Sequence, residues 1–428
     1  MKQTIRTLFN KQNIRHTLWN TAFVLFVISI VQRLIRQVLF RYTYESWFGS
    51  EWLINYQAGY VRRGLIGEIL FFFAKNFNIN LFLTIKIFSL ICFILVCIFF
   101  IRTFIKKGYS LYILPLCFFL GAHILGYAML WHKRDHAMLL FLIAAFWSFK
   151  SIPNLTLRII IINILIIIAL QIHEVFVFLS LPLLLLLFFN SFIHKGIIQS
   201  ILLSLLCLLP SVCAFLLTLK FHGNMETAQT IWDSWVSVAH VNPAQLTQYS
   251  HGAISAISWE SSSTFKYHFA MNFFTKSKGI SSLIFLLMTF PLVYYITSNA
   301  LLVFRKKESS FSTQDKTILS SLLIFQFCCI LPILLILSCD IARIFFYWVT
   351  SSFCIFLLIQ KKILQRVFPV FYTRFVEFIN TKLSIILPPT KITLALLMLC
   401  IGIPIIEFNA AEIIQTSMWG NILRLISF

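Results

Sequence analysis

Apolar residues in this chain come in long runs, broken at short intervals by polar and basic segments. Crossing about 30 Å of hydrocarbon takes roughly 20 residues of helix. Runs near that length recur from end to end and predict eleven spans, near 17–32, 80–101, 110–130, 136–149, 157–172, 174–190, 197–219, 280–303, 317–338, 342–359 and 392–407. Residues 157–190 read either as two short spans or as one kinked helix. The first run follows Lys2, Arg6, Lys11 and Arg15 as in a signal peptide, but it is long and no small-residue cleavage pattern precedes Gln32 and Arg33. It reads as an uncleaved span. The pattern therefore predicts an all-α polytopic membrane protein with about 11 transmembrane helices, one integral membrane domain over residues 1–428.

Two longer polar segments interrupt the runs. Residues 221–279 carry aromatic and polar side chains together, among them Trp232, Asp233, Trp235, His240, Trp259, Glu260, Tyr267 and His268. Residues 361–391 mix Val367, Phe368, Phe371 and Phe375 with Arg366, Arg374 and Lys382, which suits an amphipathic helix on the membrane surface.

Composition sharpens the class. The chain is 59% hydrophobic and 11% charged, against about a quarter charged for a soluble domain. A formal net charge of +21 first points to nucleic acid, yet the basic residues sit in short segments between spans, where cytoplasmic loops carry them. With the N-terminus cytoplasmic, 20 of the 35 Lys and Arg fall inside, 14 outside, and Lys86 within a span. The excess is then a topology signal, helped by attraction to anionic membrane lipids, and no nucleic-acid partner is expected. This orientation places 221–279 as a large outer loop in the middle of the chain and 361–391 in the cytoplasm. Ten cysteines lie in or beside apolar runs without any Cys-x-x-Cys, so they read as small hydrophobes.

Acidic residues carry a second asymmetry. Only Glu308, Asp315 and Glu377 of the fourteen fall inside. Carboxylates do little to set topology, so the outer face reads as the working face. Four ionisable clusters map to it. Glu45 and Glu51 precede NYQAGYVRRGLIGEIL, residues 55–70, where Arg62 and Arg63 are bracketed by Gly59, Gly64 and Gly67. Arginine forks suit phosphate oxygens, and glycine lets a backbone approach a ligand closely. WHKRDH, residues 131–136, places His132, Lys133, Arg134, Asp135 and His136 between two runs; it reads as a charged hairpin tip or an anion or sugar site. His173 and Glu174 lie inside ALQIHEVFVFLSLP, where an ionisable pair in apolar sequence is a functional candidate by default and a general base needs a tuned pKa. Asp340 and Arg343 stand at i, i+3, on one helical face, and either pair or hold substrate. No metal signature or cofactor motif appears.

An outward basic and acidic pocket beside lipid suits a polyprenyl-phosphate or diphosphate donor, with cations stabilising the leaving phosphate. The segment GYVRRGLIG, with HKRD, HE and D-x-x-R at span ends, resembles bacterial O-antigen and capsular polysaccharide polymerases of the Wzy type. That resemblance implies transfer of undecaprenyl-diphosphate-linked glycan at the outer face of the bacterial cytoplasmic membrane, alongside a flippase and a chain-length regulator. It would give Arg62, Arg63, Arg134 and Arg343 the diphosphate and Glu174 or Asp340 the role of base, with His173 beside them. The layout is also similar to GT-C-type glycosyltransferases, with Glu45 or Glu51 as the acidic residue of the first outer loop. A lipid-linked oligosaccharide flippase is the third reading.

Overall fold

The long apolar runs fold as helices because each backbone group bonds within its own segment, as hydrocarbon requires. A computed structural model describes residues 47–77, 79–114, 134–238, 251–260, 279–304, 311–332 and 341–400, with isolated positions beyond them. Among these residues the structure is all-helical. In chain order come α1 (Trp47–Glu51), α2 (Gly64–Phe77), α3 (Leu81–Lys106), α4 (Asp135–Ser151), α5 (Leu155–Ile172) and α6 (Phe176–Phe192). There follow α7 (Ile197–Lys220), α8 (Met225–Val236), a 3₁₀ helix (Gly252–Ser258) and α9 (Gly279–Val303). Then come α10 (Thr313–Pro332), α11 (Ile341–Leu358), α12 (Lys361–Val367), α13 (Val370–Ile386) and α14 (Lys391–Cys400).

Within the described residues, α3, α5, α6 with its 3₁₀ extension to Lys195, α7 and α10 are long and apolar enough to cross a membrane. Shorter apolar stretches run over Thr289–Val303 and Arg343–Leu358. The 157–190 region resolves into two helices, α5 and α6, with His173 extended at the break. The expected spans at 17–32 and 110–130, and the end of 392–407, lie largely outside the described residues.

Helix direction alternates along the chain. One end of the bundle therefore gathers residues near 62, 134, 173, 220 and 343. The opposite end gathers residues near 107, 150, 195, 304, 315 and 361. The segment 361–391 forms two helices rather than one. Pro369 follows Phe368, and the residue before a proline is steered away from helical geometry; α13 then ends ahead of Pro388 and Pro389.

Small and polar side chains set the close packing. Ser200, Ser204 and Ser211 of α7 are fully buried, and small faces of this kind let membrane helices approach. Asn163 of α5 inserts its amide into the α7 ladder beside Pro210: Nδ2 donates to Cys207 O at 2.8 Å, and Ser211 N donates to Oδ1 at 3.1 Å. Replacing Asn163 by leucine is expected to lower unfolding free energy by about 1 kcal/mol. Denaturant unfolding in detergent measures it. An unchanged midpoint would mean that Cys207 and Ser211 close the ladder unaided.

Within the segment expected as one outer loop, the described residues include α8 and the 3₁₀ helix, which cover residues 50–62. Trp235 Nε1 donates to Leu53 O at 2.7 Å, Asn55 Nδ2 to Ser234 Oγ at 3.0 Å, and Ala253 N to Ser50 Oγ at 2.7 Å. Below this layer, Phe93 of α3 meets His136 edge-on at 5.1 Å. Phe93 lies twelve residues into α3, so this contact sits about 18 Å along the helix from its start.

Candidate functional site

Residues 52–64 form a compact turn at this end of the bundle. Trp52, Leu53, Ile54 and Asn55 are buried, while Gly59 turns the chain at φ +92°. Arg63 also adopts positive φ, +66°, which is uncommon for a side chain with a Cβ and clusters at functional sites. The glycines serve the chain itself rather than a ligand. A Cβ at Gly67 would stand 1.9 Å from Ile54 O, and one at Gly64 would stand 2.2 Å from the Tyr56 ring. They let α2 lie directly on the 52–56 segment and so fix where the arginines begin.

Arg63 reaches the break between α5 and α6. Its Nε donates to Glu174 Oε2 at 2.7 Å, and its Nη2 donates to Oε1, a two-pronged ion pair. Arg62 Nη1 stands 3.7 Å from the same Oε1. Its Nη2 donates to Ala256 O at 2.8 Å, tying the site to the 3₁₀ helix of the covering layer. Arg62 Nε is buried without a hydrogen-bond partner among the described residues, and burial pushes the guanidinium pKa down. Glu174 is thus occupied on both oxygens. His173 Nδ1 accepts from Val175 N at 3.3 Å, which assigns the proton of a neutral ring to Nε2.

Arg134 and Asp135 are fully buried; they are not an exposed hairpin tip. Two partnerships hold them in. Arg134 Nη1 donates to Arg63 O at 3.0 Å and to Ile172 O at 2.8 Å, bracing both the strained Arg63 backbone and the end of α5. Its guanidinium also lies 5.6 Å from the Trp52 ring centroid. Asp135 Oδ1 accepts from Arg343 Nε at 2.8 Å and Nη2 at 2.6 Å, and from the Tyr347 hydroxyl. Arg343 thus pairs across the bundle with Asp135, while its i, i+3 neighbour Asp340 lies outside the described residues.

The Nε and Nη2 of Arg134 are buried with no hydrogen-bond partner among the described residues. Burial pushes this group down to about 10, with the Glu51 charge opposing the fall. Glu51 is itself buried, its charge acts on both Arg63 and Arg134, and its Oε2 is unpartnered among the described residues. Four guanidinium groups (Arg62, Arg63, Arg134, Arg343) thus face three carboxylates (Glu51, Asp135, Glu174) in one connected cluster.

No protein-family model, curated protein or solved structure matches this chain.

Of the residues singled out in the sequence, Glu51, Arg62, Arg63, Arg134, Asp135, His173, Glu174 and Arg343 come together. Glu45, His132, Lys133 and Asp340 lie outside the described residues. Among the described residues, no three His, Cys, Asp or Glu side chains gather to hold a metal ion. Sequence reading missed Tyr347, one helical turn beyond Arg343, although the i, i+4 spacing carries it. It also missed Gln171, whose Oε1 accepts from Tyr60 at 3.0 Å and Tyr56 at 3.3 Å, a contact across 111 and 115 residues.

Proposed function

We propose that this protein is a multi-pass enzyme of the bacterial cytoplasmic membrane that polymerises undecaprenyl-diphosphate-linked oligosaccharide units into surface polysaccharide. The reading takes eleven spans, a cytoplasmic N-terminus and the arginine cluster at the outer face. The observation that carries it is Arg134, a wholly buried guanidinium with two donors that have no hydrogen-bond partner among the described residues. A buried unpaired donor is costly. An anion that arrives with its own charge removes that cost, and phosphate oxygens match the fork.

The lipid tail would lie between helices, with the diphosphate at the arginine cluster. As the acceptor hydroxyl attacks the anomeric carbon, the bond from that carbon to the diphosphate oxygen breaks and negative charge grows on the leaving group. Arg62 and Arg134, with Arg63 once it releases Glu174, stabilise that charge without a metal ion. The acceptor proton passes to a carboxylate. Glu174 serves only when its bond to Arg63 opens; Glu51 has an oxygen without a hydrogen-bond partner among the described residues, and Asp340 remains the third candidate. Arg343 acts through Asp135, holding the start of α4 and therefore Arg134.

Glu51 favours a second reading, a GT-C-type transferase that uses a polyprenyl-phosphate sugar, because it is a buried acid of the first outer segment set among arginines. A flippase is disfavoured by charges that sit at helix ends instead of along a central path.

The test incubates purified protein with undecaprenyl-diphosphate-linked repeat units. A ladder of lengthening products is expected. Addition of one sugar only would favour the second reading, and lipid translocation without product would overturn both.

A further inference from the structure

The end of the bundle opposite the arginines holds its own charged cluster, unused by the proposed reaction. Lys107 caps α3, Lys150 sits in the last turn of α4, and Lys361 opens α12. Lys361 pairs with Asp315, and the charges of Lys361, Lys150 and Asp315 all act on Lys107. Asp315 is buried and accepts from Lys361 Nζ at 2.7 Å and from Ser312 N at 2.7 Å. Lys107 lies 5.9 Å from the Phe356 ring centroid. Burial, then the charges of Lys361 and Lys150, lower it to about 8, with only Asp315 opposing them.

Lysines at helix C-termini on the cytoplasmic side are ordinary. Two features here are not accounted for that way. Tyr109 is 2% exposed, within range of the Asp315 charge, and its hydroxyl is buried without a hydrogen-bond partner among the described residues. The rim is also apolar and aromatic where water would be expected: Ile105, Leu111, Tyr112 and Trp147 are exposed. Exposed Trp and Tyr at span ends mark the headgroup level.

We propose that this cluster binds the phosphate of an anionic phospholipid, held between Lys107, Lys150 and Lys361 with the Tyr109 hydroxyl as a further donor. The acyl chains run along Ile105 and Leu111. The lipid phosphate gives Lys107 and Lys150 an anionic partner, and a basic pocket between spans is the recognised form of such a site. Asp315 keeps Lys361 in place and confines the phosphate to the side of Lys107 and Lys150.

Native mass spectrometry of the full chain in zwitterionic detergent, titrated with phosphatidylglycerol or phosphatidylcholine of matched chains, tests this. Phosphatidylglycerol is expected to bind more tightly. Lys107→Gln and the exposed Lys150→Gln should each weaken it about fivefold and the double variant about thirtyfold. Arg134→Lys, at the far end, should leave this binding unchanged. Equal affinity for the two lipids, or a double variant that retains phosphatidylglycerol, overturns the proposal. Competition by millimolar inorganic phosphate as effective as that of the lipid overturns the lipid assignment in favour of a free anion. Should Lys107→Gln fail to fold, Lys150→Gln alone carries the test.

Discussion

Replacing Arg134 by lysine is expected to leave the protein folded and inserted while cutting polymer formation by about 100- to 1,000-fold. Lysine keeps the charge and can still reach one of the two carbonyls, Arg63 O or Ile172 O, that Nη1 now holds. It cannot supply the Nε and Nη2 donors, which are buried and unpartnered among the described residues. A point charge does not replace a planar fork at a phosphate. Arg134→Ala should do more, because it also releases the Arg63 backbone at its positive φ and the end of α5. Comparing thermal midpoints with the product ladder separates the two effects. A lysine variant with normal activity and a normal midpoint would show that the unpaired donors are not used.

The second large effect concerns Asp135. Its carboxylate is fully buried against Arg343 and Tyr347, so Asp135→Asn takes the negative charge out of this buried pair. Removing one partner of a buried pair destabilises by about 3–5 kcal/mol, whereas replacing both by apolar residues is often close to neutral. Asp135→Asn should therefore unfold readily in detergent, and Asp135→Leu combined with Arg343→Met should recover most of that stability. Activity should stay lost in the double variant, because α4 no longer holds Arg134 in register. Denaturant midpoints and the product ladder on the same preparations check both parts. Full activity in the double variant would reduce Asp135 and Arg343 to a packing role.

Much of this architecture was legible in the chain. Apolar runs predicted the places of α3 to α7 and α9 to α11, with α3 and α10 off by several residues at an end and 157–190 left open between two spans and one kinked helix, because hydrocarbon demands unbroken helices and polar breaks mark their ends. Charge counting also brought Arg63, Arg134, Glu174 and Arg343 to one end of the bundle. Pairing was not legible. Local periodicity reports neighbours within a helix and says nothing of Asp135, a carboxylate 208 residues from Arg343. HKRDH read either as a charged hairpin tip or as an anion or sugar site, since five ionisable residues normally stay wet unless they are partnered. Arg134 and Asp135 are inside only because Ile172, Arg63 and Arg343 supply partners from distant segments. Gly64 and Gly67 looked like room for a ligand and proved to be room for Tyr56 and Ile54. The covering of residues 50–62 by α8 and the 3₁₀ helix likewise rests on contacts across about 180–200 residues, which no short pattern records.

The central claim is that one anion site, assembled from separated segments around Arg62, Arg63 and Arg134, holds a polyprenyl diphosphate. Equilibrium binding of undecaprenyl diphosphate, undecaprenyl monophosphate and undecaprenol to the purified protein tests it most directly. The account predicts saturable binding that weakens in that order and falls at least tenfold for the diphosphate in Arg134→Lys, with undecaprenol unaffected by the substitution. Equal binding of all three lipids, or diphosphate binding unchanged by the variant, would contradict it.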